Sequence, residues 1–411
     1  MRVRPIEIEY FEVDKGKGGT MTPFWRLGVC TMLYSLGLQF SNVFINIYIF
    51  ERFHSINVIG AYNAILYVTW ILAFTAGAKV GSRSIRANFW VAAVFGAVAV
   101  GILASMQQGA LWLDLLVGAV MGVGNGFYYI SYNLFLFAFS QTGQRGQSVA
   151  RQNQLVSFVS VVMPVLSSMV IAKFGFETAF WCIILVYFSV FVLTFGFAKS
   201  SAGRFTVSDV LSFKKGFGSF AAANLTASVY TQFLPFAAGV LAFSFGSGIT
   251  GAGWLNTLYA VLTLMANSFI GYLVRARFDA NRQVWSWVGS IGAMIGTTFL
   301  FMHSLGAVIS FNIIVSLANP LFVTLLIAQQ FDAVGRLYPN RIAGFVVREW
   351  LYTVARVSVF TYVALFGMRA DTTTYLLLVT VLCMAPLFAV IWNRKIAHTE
   401  MPMQSSAASS H

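Results

Sequence analysis

The sequence has few charged residues, and this shortage excludes an ordinary soluble protein. Only 9% of the 411 residues are Asp, Glu, Lys or Arg, whereas soluble domains carry about 25%. Hydrophobic residues make up 58% of the chain, and the mean hydropathy is +0.76. A surface with so little charge suits lipid better than water, so we predict an all-α integral membrane protein.

Cysteine and histidine are also scarce, which argues against a disulfide framework and a metal site. The three cysteines, Cys30, Cys182 and Cys383, lie inside apolar runs. The four histidines lack the spacing of metal ligands. The stretch GSGITGAG from Gly246 has no Lys-Ser/Thr pair and no preceding strand, so it does not predict a phosphate-binding loop. We therefore expect no enzyme activity, no metal and no cofactor.

Long apolar runs recur along the chain, and their length is that of membrane helices. A transmembrane helix needs about 20 mostly apolar residues, and twelve runs meet this requirement. They span 24–50, 58–80, 89–106, 111–137, 155–172, 179–197, 220–243, 254–274, 284–302, 305–328, 342–366 and 374–392. The sequence therefore predicts twelve transmembrane helices.

The basic residues concentrate on one side of the predicted bilayer. Most of the 26 Lys and Arg residues, Arg348 among them, fall in loops or at span ends on that side. The opposite side holds only Arg52, Lys173 and Arg369, while Arg356 lies within a span. By the positive-inside rule we predict a multi-pass protein of the cytoplasmic membrane with both termini in the cytoplasm. The net charge of +13 is explained by this orientation, so we expect no nucleic-acid partner.

The runs also form an internal repeat. The first four begin at 24, 58, 89 and 111, and runs begin again 194 to 196 residues later at 220, 254, 284 and 305. Six spans repeated once predict two six-helix bundles, related by a pseudo-twofold axis along the membrane normal. The predicted units are the bundles 24–197 and 220–392, a cytoplasmic connector 198–219, and cytoplasmic tails 1–23 and 393–411.

Short motifs support one family. The stretch GAKVGSRSIR from Gly77, after the second span, is similar to the loop motif G-x-x-x-D-R-x-G-R-K of the major facilitator superfamily. Gly77 and Arg86 match that motif, and Gly81 stands where the family has Asp. The run REWLYTVAR, 348–356, resembles a segment of poorly characterised bacterial members. With the twelve spans, the chain thus resembles this superfamily over nearly its whole length.

The resemblance implies a fold, a transport activity and two sets of functional residues. The first set belongs to the loops that gate conformational change, where the second half repeats the first at an offset of 194 residues. These residues are Gly77, Arg83, Arg86, Gly271 and Arg277. The family architecture also places the first, fourth, seventh and tenth spans around a central cavity, where a solute binds.

Amide side chains lie near the middle of these four spans. Each span carries one Asn or Gln within about two residues of its midpoint, roughly 3 Å along the axis. Helical spacing adds neighbours on the same stripes. The predicted substrate-binding residues here are Gln39, Asn42, Asn125, Tyr129, Tyr132, Gln232, Asn312 and Asn319. The alternative is that these amides only join helices by hydrogen bonds.

Three charged residues within the spans complete the candidates. We expect Asp114, near the outer end of the fourth span, to be an interfacial, solvated carboxylate. Arg356 lies deep in the eleventh span, where an unpaired charge is costly, and Glu349 precedes it by about 10 Å along the axis. Either Arg356 locks helix packing through Glu349 or a carbonyl group, or it binds an anionic group of the solute. In the second case Glu349 is a candidate proton carrier.

The leading functional hypothesis is a secondary transporter that moves a small polar or amphipathic organic solute by alternating access. A lipid or lipid-linked flippase of the same fold is a variant, which a side-opening apolar groove would favour. A non-transporting scaffold or sensor is the rival from another class, and a cavity closed by packing would support it. We expect a small-molecule solute and the lipid bilayer as partners, and a monomer.

Overall fold

The computed structural model is nearly all helical. It describes residues 23–105, 110–139, 145–197, 203–245, 248–274, 282–302, 304–366 and 373–398. The helices are α1 (Pro23–Phe40), α2 (Asn46–Phe53), α3 (Ile56–Gly81), α4 (Ile85–Ser105), α5 (Leu111–Phe139), α6 (Arg145–Leu193), α7 (Phe217–Phe245), α8 (Gly248–Val274), α9 (Arg282–Thr298), α10 (Leu305–Leu337), α11 (Arg341–Phe366) and α12 (Thr373–His398). A π-helical segment, Ser41–Ile45, joins α1 to α2.

Seven helical segments of the described chain are long and apolar enough to cross a membrane. They are Ile56–Gly81, Ile85–Ser105, Leu111–Ala138, Arg151–Gly196, Gln283–Met302, Leu305–Leu337 and Leu376–Lys395. The protein is therefore a multi-pass membrane protein, and the count of twelve spans stays a prediction. The predicted span 155–172 and most of the span 179–197 lie within the single element α6, which is broken at Gly175 (φ 81°, ψ 170°) and followed by a 3₁₀ turn, Thr194–Gly196. Glycine adopts this left-handed conformation readily because it has no Cβ.

The helices pack in two sets. In the first set α1 packs on α6, and α5 packs on both α3 and α4. In the second set α7 packs on α11 and α12, while α10 packs on α8 and α9. The main contacts between the sets join α3 to α11 and α6 to α8.

Glycine brings α3 and α11 into close contact. A Cβ atom added to Gly60 would lie 2.5 Å from the backbone nitrogen of Ala364, so the two backbones meet there. Nearby, the Asn57 amide donates a hydrogen bond to the Ala364 carbonyl at 2.8 Å. Further along the pair, Trp350 Nε1 donates to Thr75 Oγ1 at 2.9 Å. Small residues that permit such close approach are common where membrane helices pack.

A chain of polar side chains joins α6, α8 and α10. Asn153 Nδ2 donates to Thr324 Oγ1 at 3.2 Å, and Thr324 Oγ1 donates to Asn267 Oδ1 at 3.3 Å. Asn267 Nδ2 in turn donates to Ser157 Oγ at 3.0 Å. Each group finds a partner, which removes much of the penalty for burying it in a membrane protein.

The described part of the connector packs on the turn between α10 and α11. It forms a short 3₁₀ helix, Val207–Leu211, with a capping box between Thr206 and Asp209. Asn340, in the turn, donates to Asp209 Oδ2 at 2.7 Å. Burial raises the pKa of Asp209, but hydrogen bonds from Thr206 and Asn340 outweigh it, so the net pKa is lowered.

Candidate functional site

A cavity of about 330 Å³, with both polar and apolar side chains on its wall, lies between the two sets of helices. Its wall is built by α1, α3, α5 and the first part of α6 from one set, and by α7, α10 and α11 from the other. Ligand sites in proteins occupy roughly 300–1,000 Å³, so this volume fits a small solute.

Most of the predicted binding residues meet in this cavity. Those that line it are Gln39, Asn125, Tyr129, Tyr132, Asn319 and Arg356, and the predicted proton carrier Glu349 lines it as well. Asn312 does not line it: its side chain is buried and donates to the Val308 carbonyl of its own helix at 2.9 Å. The side chains of Asn42 and Gln232 lie outside the described residues.

The amides of Asn125 and Asn319 differ in their hydrogen bonds. The Tyr34 hydroxyl donates to Asn125 Oδ1 at 2.9 Å, and the Tyr34 ring stacks on Tyr128 with centroids 3.7 Å apart. Asn319 Oδ1 is buried and has no hydrogen-bond partner among the described residues. Asn125 is therefore held in place by a hydrogen bond from Tyr34, whereas the Asn319 oxygen has no such contact.

Glu349 and Arg356 form a direct ion pair in the cavity wall. Arg356 Nη1 lies 2.7 Å from Glu349 Oε1, and each side chain is only 5% exposed. Although their helical positions are two turns apart, the two long side chains close that distance. The Arg356 guanidinium also lies 5.1 to 5.3 Å from the ring centroids of Tyr67, Trp70 and Tyr352.

Arg348 is a second cation in the same wall, which the sequence analysis did not include among the cavity residues. It lies seven residues into α11, is 7% exposed and lines the cavity. Its Nε and Nη1 atoms have no hydrogen-bond partner among the described residues. The guanidinium lies 5.4 Å from the ring centroid of Phe331 and 5.2 Å from that of Tyr352. Residues 348, 352 and 356 are spaced four apart and therefore lie on one face of the helix. This spacing is the sequence signal that predicts Arg348 beside Arg356.

Other polar lining residues were missed because they lie on α3, α6 and α11, lie away from the midpoints of the predicted lining spans, or, like Thr231 at a midpoint, carry no amide. They are Thr31, Ser35, Asn63, Tyr67, Asn133, Asn153, Thr231 and Tyr352. Tyr352 is fixed by the Gln330 amide, whose Nε2 lies 2.7 Å from its hydroxyl.

The predicted gating residues lie mostly on helices rather than in loops. Gly77 is buried in α3, where an added Cβ would lie 2.8 Å from Ile130 of α5. Arg83 is in the short turn after α3, but Arg86 is the second residue of α4 and donates to the Phe197 carbonyl at 3.4 Å. Gly271 lies within α8. Arg277 lies outside the described residues.

Asp114 is not solvated, which contradicts the expectation from sequence. Its side chain is 0% exposed, and its Oδ1 lies 3.6 Å from Arg52 Nη1. The carboxylate belongs to the first turn of α5, where the helix dipole favours a negative charge. This pair contributes no residue to the cavity wall.

No protein-family model matches the chain. The uncharacterized protein YqgE of Bacillus subtilis (strain 168) is 24% identical over 341 residues, which cover 79% of this chain and 78% of YqgE. An uncharacterized protein in the sodM 3'region of Geobacillus stearothermophilus is 26% identical over 145 residues, which cover 34% of this chain and 66% of that protein.

Solved structures give a more extensive match. The proton:xylose symporter XylE, of the major facilitator superfamily, superposes with a TM-score of 0.69 and 12% identity over 90% of this chain and 95% of its own. A bacterial homologue of the iron transporter ferroportin, in an outward-facing state with and without soaked iron, superposes with a TM-score of 0.65 and 15% identity over 92% of this chain and 100% of its own. The agreement over about nine-tenths of the chain identifies the major facilitator superfamily fold.

Proposed function

We propose that this protein is a secondary transporter that moves a small polar or amphipathic organic solute across the cytoplasmic membrane by alternating access. The observation that carries this proposal is the cavity between the two sets of helices, with amide, hydroxyl and charged groups among the apolar side chains of its wall. Two structural neighbours, XylE and the ferroportin homologue, are named as a symporter and as a homologue of a transporter.

In this proposal the two bundles, 24–197 and 220–392, rock about the cavity. The contacts that must rearrange are those that join α3 to α11 and α6 to α8. These are the main contacts between the two sets, so opening one end requires separating helices rather than unfolding them. Such rocking around a site between repeats is the usual basis of alternating access.

Glu349 supplies a mechanism for proton coupling as part of the same proposal. Its carboxylate pairs with Arg356 at 2.7 Å inside the cavity wall. A proton taken up by Glu349 would remove the negative charge of this pair and release the Arg356 guanidinium. Protonation of Glu349 and binding of the solute near Arg356 would then be coupled, because both depend on the Glu349–Arg356 pair.

The lining of the cavity favours a solute transporter over the two alternatives, a lipid flippase and a non-transporting scaffold or sensor. A flippase needs a continuous apolar groove for acyl chains, whereas in this wall the apolar side chains alternate with Asn125, Asn319, Arg348 and several tyrosines. A scaffold does not need amide, hydroxyl and charged groups around an internal cavity, since such groups are costly to bury without partners.

Accessibility of the cavity from both faces of the membrane tests the proposal without knowledge of the solute. Ile327, a partly buried lining residue of α10, is replaced by Cys in a chain whose Cys30, Cys182 and Cys383 are replaced by Ala. A membrane-impermeant thiol reagent is applied to right-side-out and to inside-out vesicles. A transporter reacts from both faces, whereas a scaffold reacts from one face or not at all. Leu211→Cys, 78% exposed in the connector, serves as the control that reacts from one face only.

A further inference from the structure

The charged side chains in the cavity wall carry more positive than negative charge. Among the described residues, the charged side chains that line the cavity are Arg348, Glu349 and Arg356. The Glu349 carboxylate is paired with Arg356. This pair accounts for one cation and leaves the charge of Arg348 without a counter-ion in the wall.

We propose that the transported solute is an anion, and that Arg348 is the residue that binds its carboxylate or phosphate group. The proposal rests on the proposed transport function and specifies its substrate class. A guanidinium that is 7% exposed is costly to hold without a negative partner. Two of its three nitrogens, Nε and Nη1, are buried without a hydrogen-bond partner among the described residues, so protein acceptors do not offset its charge. A bound anion supplies the missing negative charge.

The surroundings of Arg348 prepare it for this role. The rings of Phe331 and Tyr352 lie 5.4 and 5.2 Å from the guanidinium carbon, which restricts where the planar group can lie. The Tyr352 ring is itself held by the contact of its hydroxyl with Gln330. A fixed, planar guanidinium suits the planar geometry of a carboxylate or the oxygens of a phosphate.

The same cavity specifies a second feature of the solute. Asn319 lines the cavity, while its Oδ1 is buried and has no partner among the described residues. A polar group on the solute can hydrogen-bond to this amide. The inferred class is thus a small organic anion that carries a second polar group. A simple cation is disfavoured because the carboxylate of Glu349 is already engaged by Arg356.

The local potential at Arg348 is measured with two charged thiol reagents. Ile327→Cys lies one helical turn before Phe331, whose ring contacts Arg348, so it samples this region. The purified full chain is treated with an anionic sulfonatoethyl and a cationic trimethylammonioethyl thiosulfonate. Each rate is divided by the rate at the exposed control Leu211→Cys, which removes the intrinsic reactivity of the reagents. We expect the normalised anion-to-cation ratio to fall by roughly tenfold in Arg348→Gln, since a unit charge at this range changes both rates in opposite directions.

Two further variants complete the experiment. Arg348→Lys keeps the charge and should keep the ratio, and a ratio lost equally in the Lys and Gln variants would overturn the charge argument. An unchanged ratio in Arg348→Gln would overturn the anion site. If the ratio falls as expected but Ile327→Cys reacts from one membrane face only, the anion site stands and the transport function fails. If the residue reacts from both faces and the ratio does not respond to Arg348, transport stands and the anionic substrate class fails.

Discussion

Asn125 and Asn319 face one cavity, but their hydrogen bonds give them different roles. Asn125→Leu leaves the buried Tyr34 hydroxyl without its acceptor, so we expect the free energy of unfolding to fall by about 1–3 kcal/mol. Asn319→Leu removes an oxygen that has no partner among the described residues, so we expect stability to be unchanged or slightly higher. Thermal unfolding of the purified variants in detergent measures both effects.

The effect of a solute on thermal stability tests whether Asn319 takes part in binding. A solute at 100 times its dissociation constant adds about 2.7 kcal/mol to stability, which a thermal-shift screen detects. We expect Asn319→Leu to abolish this shift. A full shift in the Asn319 variant, together with normal uptake, would leave this amide without a part in binding.

The ion pair between Glu349 and Arg356 predicts strong coupling between two substitutions. Breaking a buried pair on one side leaves an uncompensated charge and costs about 3–5 kcal/mol. We expect either Glu349→Gln or Arg356→Gln alone to destabilise the protein more than the double variant does, because the 2.7 Å pair is nearly fully buried. A double-mutant cycle of thermal unfolding gives the coupling energy. Additive effects of the two changes would show that the side chains act independently.

Sequence reasoning found the amides and the Glu349–Arg356 candidates because buried polar groups are conspicuous in an apolar run. It missed Arg348 because an arginine seven residues from a helix start can belong to the interface as well as to the interior. It also retained Asn312, whose helical position matches that of Asn319. Hydropathy does not reveal that the Asn312 amide turns back to its own helix at Val308.

At the scale of elements, the apolar runs located the helices but not their interruptions. The first predicted span, 24–50, is interrupted by the π-helical segment Ser41–Ile45. The break in α6 depends on the left-handed backbone of Gly175, which lies between two apolar stretches. Both features are set by backbone conformation, whereas hydropathy reports only the preference of side chains for lipid.

Close helix packing gives a prediction at this scale. An added Cβ at Gly60 meets backbone atoms of Ala364, which cannot move aside as a flexible side chain does. We expect Gly60→Ala to separate α3 from α11 and to lower the free energy of unfolding by about 1–3 kcal/mol.

Gly101→Ala in α4 is the matched control, since its nearest neighbour is Ile184 Cδ1 at 3.9 Å. Alanine favours a helix over glycine by about 1 kcal/mol, so this variant should be unchanged or more stable. Equal thermal unfolding of the two variants would show that α3 and α11 tolerate a wider spacing.

At the scale of the whole molecule, the distribution of positive charge predicts its orientation in the membrane. Lys173 is exposed beside the break at Gly175, on the side with few basic residues, while Leu211 is exposed in the connector on the basic side. Translocating clusters of Lys and Arg is disfavoured, so the connector and both termini should remain in the cytoplasm. Lys173→Cys should therefore react with an impermeant thiol reagent added to intact cells, and Leu211→Cys should react only after the cells are opened. The opposite pattern would invert the topology and, with it, the face from which the solute enters the cavity in each state.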